Sequence, residues 1–329
     1  MTQDIILSAT DLRVNFHTRD AVVSAVNGVT FDLRAGEVLT VIGESGSGKS
    51  VMLRALMGLL PGHAQISGGL SVMGQDIATA TPQQLSRLRG KVVSMVFQDP
   101  SSALDPVYKV GELIAESVIR HEGISHEAAM KRAEEMLDLV RIPSAKARLG
   151  NYPHEMSGGM RQRAMIALAL ACRPKILLAD EPTTALDATV QIQLLILLRS
   201  LQADLGMSLV LVTHDMGVAA EIADRVNVMY AGRFVEKGNV EQVLLRPQHP
   251  YTRALLNSTV HGGMKGQTLE IIRGVPPDLR RLPQGCAFAA RCPRAVSSCF
   301  TDAPKELHLP EAGHMASCHL LQAQAVATA

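Results

Sequence analysis

Hydrophobic and polar positions divide the chain into stretches of different character. Residues 37–42, 175–180 and 208–213 are short, nearly continuous apolar runs. Such runs suit parallel strands buried on both faces. Residues 190–205, between the last two, read as a crossover helix, and this rhythm predicts an α/β core. Up to about residue 85 the chain otherwise reads as strands and turns, with one helix over 50–60 that stops near Gly58 and Pro61-Gly62. Residues 83–150 change to helical patterns, 110–121 and 126–140 among them, and predict a mostly helical insertion. Another helix spans 160–172, before Pro174. From about residue 245 prolines interrupt every pattern, which predicts a separate, loop-rich appendage.

Composition narrows the function classes. Hydrophobic residues make up 47% of the 329 and charged residues 19%, enough for a sizeable core and against whole-chain disorder. The formal net charge of +1 shows no nucleic-acid footprint. Aromatics are 3% with no Trp, which disfavours base-stacking or sugar-stacking surfaces. No apolar run reaches the roughly 18 residues of a membrane span. Met1-Thr2-Gln3-Asp4 lacks the basic start of a signal peptide. The expected place is the cytosol, or the cytosolic side of a larger assembly.

Gly43-Glu44-Ser45-Gly46-Ser47-Gly48-Lys49-Ser50 matches G-x-x-x-x-G-K-[ST] at every fixed position, after a predicted strand and before a predicted helix. Glycines let successive backbone N–H groups curl around a phosphate, and the helix N-terminus adds partial positive charge. In such a loop Lys49 reaches the β- and γ-phosphates and the Ser50 hydroxyl serves Mg²⁺. Asp180 and Glu181 leave the end of a buried strand. There Asp180 can serve Mg²⁺ and Glu181 can polarise a water for attack on the γ-phosphate, although acids at a strand end are also found as plain solvated residues. His214 ends another strand; a neutral imidazole there can bond the γ-phosphate or the attacking water. A lone histidine is commonly structural, but Gly43, Asp180 and His214 share the strand-end edge where open α/β sheets bind ligands. Ser157-Gly158-Gly159 opens a further helix, either as an ordinary cap or as a second anion-ready N-terminus. The second role makes sense if it serves a nucleotide held by another subunit.

In order and spacing, residues 43–50, Gln98 in Val96-Phe97-Gln98-Asp99, Ser157-Gly158-Gly159, Asp180-Glu181, Ala185-Leu186-Asp187 and His214 resemble the ATP-binding subunit of ABC transporters. The resemblance covers about residues 5–245. It implies two such subunits packed head to tail, each ATP lying between one phosphate loop and the partner's Ser-Gly-Gly. It extends the nucleotide contacts to Val51 and Gln98, with Ser50, Gln98 and Asp180 placing Mg²⁺. It puts Phe16 where the family stacks an aromatic ring on adenine, with a plain packing role as the other reading. The usual Leu-Ser-Gly-Gly-Gln signature here has Met156 and Met160 at its ends, so no side-chain amide stands at position 160. Residues 246–256, 97–106, 283–286 and 291–293 resemble the D-type ATPase subunits of dipeptide and oligopeptide importers. That implies a second, related ATPase subunit, two transmembrane permeases, a solute-binding protein, and a peripheral place on the cytoplasmic face of the inner membrane. The same ATPase type also serves nickel, opine and antimicrobial-peptide uptake. Some ABC ATPases work on DNA or ribosomes, but with coiled-coil insertions or paired cores that this chain lacks.

The expected fold is therefore a P-loop α/β core with an antiparallel β portion over 1–85 and 160–245, a helical signature subdomain over 86–159, and a small extension over 246–329. Cys286, Cys292, Cys299 and Cys318 sit in that extension, spaced C-x5-C-x6-C-x18-C. Disulfides are disfavoured in the cytosol, and structural zinc generally uses tight C-x2-C pairs. An iron–sulfur cluster also takes four cysteines and tolerates wider spacing. The tail resembles those importer ATPases that hold a [4Fe–4S] cluster in this arrangement. Zn²⁺ and four unrelated buried thiols are the other readings. Cys172 stands apart from the set.

Overall fold

The apolar runs become strands in a computed structural model that describes residues 4–184, 186–258 and 271–322, divided into two units. The first unit takes residues 34–37 and 79–211. Its strands Val93–Val96 and Ile176–Asp180 are buried throughout and pair in parallel, Val93 opposite Ile176 and Val96 opposite Ala179. Ser208–Thr213 lies on the other side of Ile176–Asp180, equally buried. The crossover helix Ala188–Leu205 starts where the Asp187 carboxylate accepts from the Val190 N–H at 3.0 Å, and it ends at Gly206 with φ +59°.

Residues 83–150 hold the expected helices, Val110–Glu122 and His126–Leu139. The second buries Ala129, Ala133, Met136 and Leu137, a stripe at helical spacing. Both pack against each other and against Gly158–Leu170. The same stretch also contains Val93–Val96, so it is not purely helical. Val93-Ser94-Met95-Val96 is too short a stretch for its pattern to separate a strand from a buried helical turn.

The second unit takes residues 4–33, 38–78 and 212 onward. Val22–Arg34, Ile5–His17, Ala64–Val72 and Gln75–Asp76 form one sheet in that order. The register of Ile5–His17 on Ala64–Val72 shifts between Thr10 and Arg13. Gly68 (φ +89°) faces that shift, and a Cβ there would lie 2.3 Å from the Asp11 carbonyl oxygen. In the other sheet Val38–Ile42 pairs in parallel with Arg225–Tyr230, which pairs antiparallel with Arg233–Asn239.

The tail is not an appendage apart. Met315–Ala316 adds to Arg233–Asn239, and Leu307–His308 adds to Met315–Ala316, both antiparallel. Phe288 packs edge-on to Tyr230 at 5.3 Å and tilted to Tyr251 at 5.3 Å, within a core that also takes Val228, Val243 and Leu255. Glu236, with a fully buried side chain, accepts from His314 Nε2 at 2.8 Å and from the backbone N–H groups of Gln248 and His249. Sequence periodicity does not show this shared core, because Phe288 reaches the strand and helix residues of the core from a loop segment.

His249 makes the tail junction acid-sensitive. Burial pushes its imidazole down to about 4 from 6.5, against a smaller opposing pull from the Glu236 carboxylate. Its Nδ1 accepts from the Tyr251 N–H at 3.1 Å and so is unprotonated. Below the unfolded value the unfolded chain takes up a proton that the folded chain refuses. Stability is therefore complete above pH 6.5 and falls as pH drops toward 4, at up to about 1.4 kcal/mol per pH unit. Denaturation midpoints between pH 7.5 and 5 should show a steeper acid loss in the wild type than in His249→Asn; equal slopes would exclude His249 as the source.

Candidate nucleotide site

In the second unit the strand Val38–Ile42 runs fully buried into the loop at Gly43. A Cβ on Gly43 would lie 2.2 Å from the Met229 carbonyl oxygen, and one on Gly48 (φ +104°) would lie 2.2 Å from that of Ala25. Both positions thus require glycine for space, and Gly48 also for its backbone angle. The helix Lys49–Leu56 follows at once. Lys49 is buried, its Nζ donating to the carbonyl oxygens of Gly43 (2.8 Å) and Glu44 (2.9 Å). The amine is therefore folded back over the loop, with Ser50 and Val51 on the first helical turn behind it. Ser45 and Gly46 are exposed, whereas the Ser47 hydroxyl is buried without a hydrogen-bond partner among the described residues. An unpartnered donor inside a ring of glycines suits an anion that brings its own acceptors.

Two predicted residues lie elsewhere in this unit. Phe16, on Ile5–His17, is half-buried with its ring tilted against His63 at 5.8 Å, so it is not a fully buried packing residue. His214 is exposed, directly after Ser208–Thr213 and before Asp215, whose carboxylate caps the helix Met216–Ile222 through the Gly217 N–H at 2.7 Å.

The first unit holds the other predicted residues. Asp180 is the buried last residue of its strand. Glu181 follows with φ +46°, the left-handed region that a non-glycine residue seldom takes. Its Oε2 accepts from Thr184 Oγ1 at 3.0 Å and from Gln98 Nε2 at 3.4 Å. Two residues that the sequence could only name in order, Gln98 and Glu181, are thus brought together. Ser157 caps the helix Gly158–Leu170, its Oγ accepting from the Met160 N–H at 3.3 Å. Ser157 and Gly158 are exposed, and Gly159 sits where a Cβ would approach Val190 Cγ1 to 3.2 Å. Met160 contributes its backbone to this turn whatever its side chain. Ala185 lies outside the described residues.

Sequence reasoning missed the partners of Glu44. Arg291 grips its carboxylate with two bonds, Nη1 to Oε2 at 2.7 Å and Nη2 to Oε1 at 2.9 Å. The Glu44 N–H donates to the Tyr251 hydroxyl at 2.9 Å. Burial pushes the Tyr251 hydroxyl well above the usual tyrosine range, so it stays protonated. No local pattern signals an ion pair across this length of chain.

The four tail cysteines lie within electrostatic reach of one another. The Cys286 N–H donates to the Cys299 carbonyl at 2.8 Å, and a Cβ on Gly285 would lie 2.2 Å from that same oxygen. Burial pushes the Cys286 thiol up to about 11, with Cys299, Cys318 and Cys292 adding to the effect. Burial raises Cys292 as well, again with Cys318 and Cys299 contributing. Among the described residues, however, no three His, Cys, Asp or Glu side chains stand in a ready ion-holding arrangement.

Comparison with known proteins decides the family. Residues 26–184 match the family described as ABC transporter, and residues 235–299 match the oligopeptide/dipeptide transporter C-terminal region. The oligopeptide transport ATP-binding protein OppD of Escherichia coli K12 is 47% identical over 96% of this chain and 93% of its own length. The chain belongs to the ABC transporter family. The dipeptide transport ATP-binding protein DppD of Bacillus subtilis is 47% identical over 89% of the chain and 88% of its own length. Among solved structures, the dimeric post-hydrolysis state of the ATP-binding cassette MJ0796, bound to ADP and Pi, superposes with a TM-score of 0.64 at 28% identity, over 71% of this chain and 98% of that one. CbiO1 of Clostridium perfringens gives a TM-score of 0.64 at 27% identity, over 74% and 92%. This ABC chain is an ATPase with a P-loop α/β fold. No helix among the described residues is long and apolar enough to cross a membrane.

Proposed function

We propose that this chain couples ATP binding and hydrolysis to uptake of di- or oligopeptides through partner permease subunits. The observation that carries the reading is the oligopeptide/dipeptide transporter C-terminal region at residues 235–299, on the same chain as the ABC transporter match at 26–184. On this reading the loop amides and Lys49 bind the β- and γ-phosphates, and Phe16 stacks on the base. Ser50, Gln98 and Asp180 would hold Mg²⁺, which when bound neutralises phosphate charge. The Ser50 hydroxyl, the Gln98 amide and the Asp180 carboxylate are oxygen donors, the chemistry Mg²⁺ takes. Glu181 orients and deprotonates the attacking water, and His214 bonds the γ-phosphate. Ser157, Gly158 and Gly159 face the nucleotide of a second, related ATPase subunit. The working assembly adds two transmembrane permeases and a solute-binding protein, with this chain peripheral on the cytoplasmic face of the inner membrane.

Cys286, Cys292, Cys299 and Cys318 would hold a [4Fe–4S] cluster, with Zn²⁺ as the alternative. The four thiols lie within electrostatic reach of one another, which favours this donor set, and a bound cation would offset the effect of burial that now keeps Cys286 and Cys292 protonated. Its role is to brace a loop-rich tail. Anaerobic purification should yield about four irons and four sulfides per chain. One zinc without iron would replace the cluster by zinc; a folded, active complex with neither would remove the metal site.

The cargo test is uptake of a labelled dipeptide, a labelled oligopeptide and ⁶³Ni²⁺ by cells with and without this gene. Loss of peptide uptake alone supports the proposal. Intact peptide uptake with loss of nickel uptake would move the chain to another cargo.

A further inference from the structure

We propose that Arg291, on the C-terminal tail, is a positioning residue for ATP: it neutralises and fixes the Glu44 carboxylate of the phosphate loop so that the loop can accept a polyanion. The inference rests on the reading of residues 43–50 as the ATP loop.

A carboxylate at the second position of an anion-binding loop opposes its ligand. Glu44 lies within a few residues of the amides that would meet the phosphates, well inside a Debye length of roughly 8 Å at physiological salt. Its side chain is 26% exposed, so water alone screens it incompletely. Arg291 supplies the missing countercharge in a fork-on-fork pair.

The guanidinium is held independently of Glu44. Nε donates to the Arg273 carbonyl at 3.1 Å, Nη2 to the Ile272 carbonyl at 3.3 Å, and Nη1 to the Tyr230 hydroxyl at 3.2 Å. With the two bonds to Glu44, all five donors of the group are used. The guanidinium also lies 5.8 Å from the Tyr230 ring centroid and 5.9 Å from that of Phe288, and its side chain is 5% exposed. A preset cation therefore receives the loop carboxylate, while Tyr251 fixes the Glu44 backbone from the same core. Lysine offers no such fork.

An alternative is that the pair merely fastens the tail. The two roles part when Glu44 is made neutral. If Arg291 counters a charge, removing that charge relieves its loss. If the pair is a fastener, removing the second partner relieves nothing.

The test is titration of the full-length chain with ATP and Mg²⁺, alongside turnover in the assembled complex. Arg291→Met should weaken ATP binding about tenfold, raising KM far more than it lowers kcat. The weakening should shrink in about 0.5 M salt, because repulsion is screened. The double variant Arg291→Met with Glu44→Gln should bind ATP several-fold more tightly than Arg291→Met alone. A double variant no tighter than the single, or a single that binds like wild type, would overturn the proposal. If Arg291→Met does not fold, Arg291→Gln takes its place in the same comparison. Failure of the wild type itself to bind ATP would sink the reading of the loop, and shows separately.

Discussion

Glu181→Gln is expected to cut ATP hydrolysis by about 10²–10³-fold while ATP still binds. The buried strand Ile176–Asp180 delivers residue 181 at the end of a rigid element, and the left-handed backbone there re-aims its side chain. Glutamine keeps the shape and can still accept from Thr184 Oγ1, which bonds Glu181 Oε2 at 3.0 Å. What it loses is the negative charge that, on the proposed reading, orients a water and takes its proton. The proposed binding groups, Lys49 and the loop amides, belong to other residues and are untouched. The check is ATP affinity and turnover in the assembled complex, with the partner ATPase's own site disabled. Turnover at the wild-type rate would remove Glu181 from the role of base. Loss of ATP affinity with the hydrolysis loss would mark it instead as a residue that shapes the site.

The phosphate loop was legible because each of its constraints is local. A buried strand, glycines at 43 and 48, and a lysine at a helix start are adjacent in the chain, and the steric demands at Gly43 and Gly48 account for them. The helices His126–Leu139 and Ala188–Leu205 were legible for the same reason, through helical pattern and a place between two apolar runs, both read from neighbouring residues. Val93–Val96 was not, since a stretch of four residues suits a strand or a helical turn equally, and only its pairing with Ile176–Asp180 decides. The tail core was invisible because Phe288, from a segment without period, meets Tyr251 on the distant helix Pro250–Asn257. Least legible was the hold on Glu44. Apart from Glu44 itself, Arg291 is fixed by two backbone carbonyls, the Tyr230 hydroxyl and ring faces, an arrangement that no motif encodes.

Ser157→Asp is expected to lower turnover in the assembled complex about 100-fold at the site this residue faces, without harming the fold. Ser157 caps Gly158–Leu170 by accepting from the Met160 N–H, and aspartate caps a helix as well as serine does. Helix content and melting temperature should therefore hold or rise. The new carboxylate, however, places negative charge at the helix start, where the backbone N–H groups and the dipole would otherwise receive a phosphate. Both Ser157 and Gly158 are exposed, so that charge would meet an incoming nucleotide directly. ATP binding to the chain's own loop should persist, while ATP-induced association with the partner ATPase should fail. Ser157→Ala provides the contrast: it loses the cap, at a cost of about 1 kcal/mol, but adds no charge. Its turnover should fall much less than that of Ser157→Asp. If both variants keep wild-type turnover, Ser157 is an ordinary cap and the proposed reading of a nucleotide shared between subunits fails at this residue. If Ser157→Ala loses as much turnover as Ser157→Asp, the helix start contributes through its stability rather than through recognition of an anion.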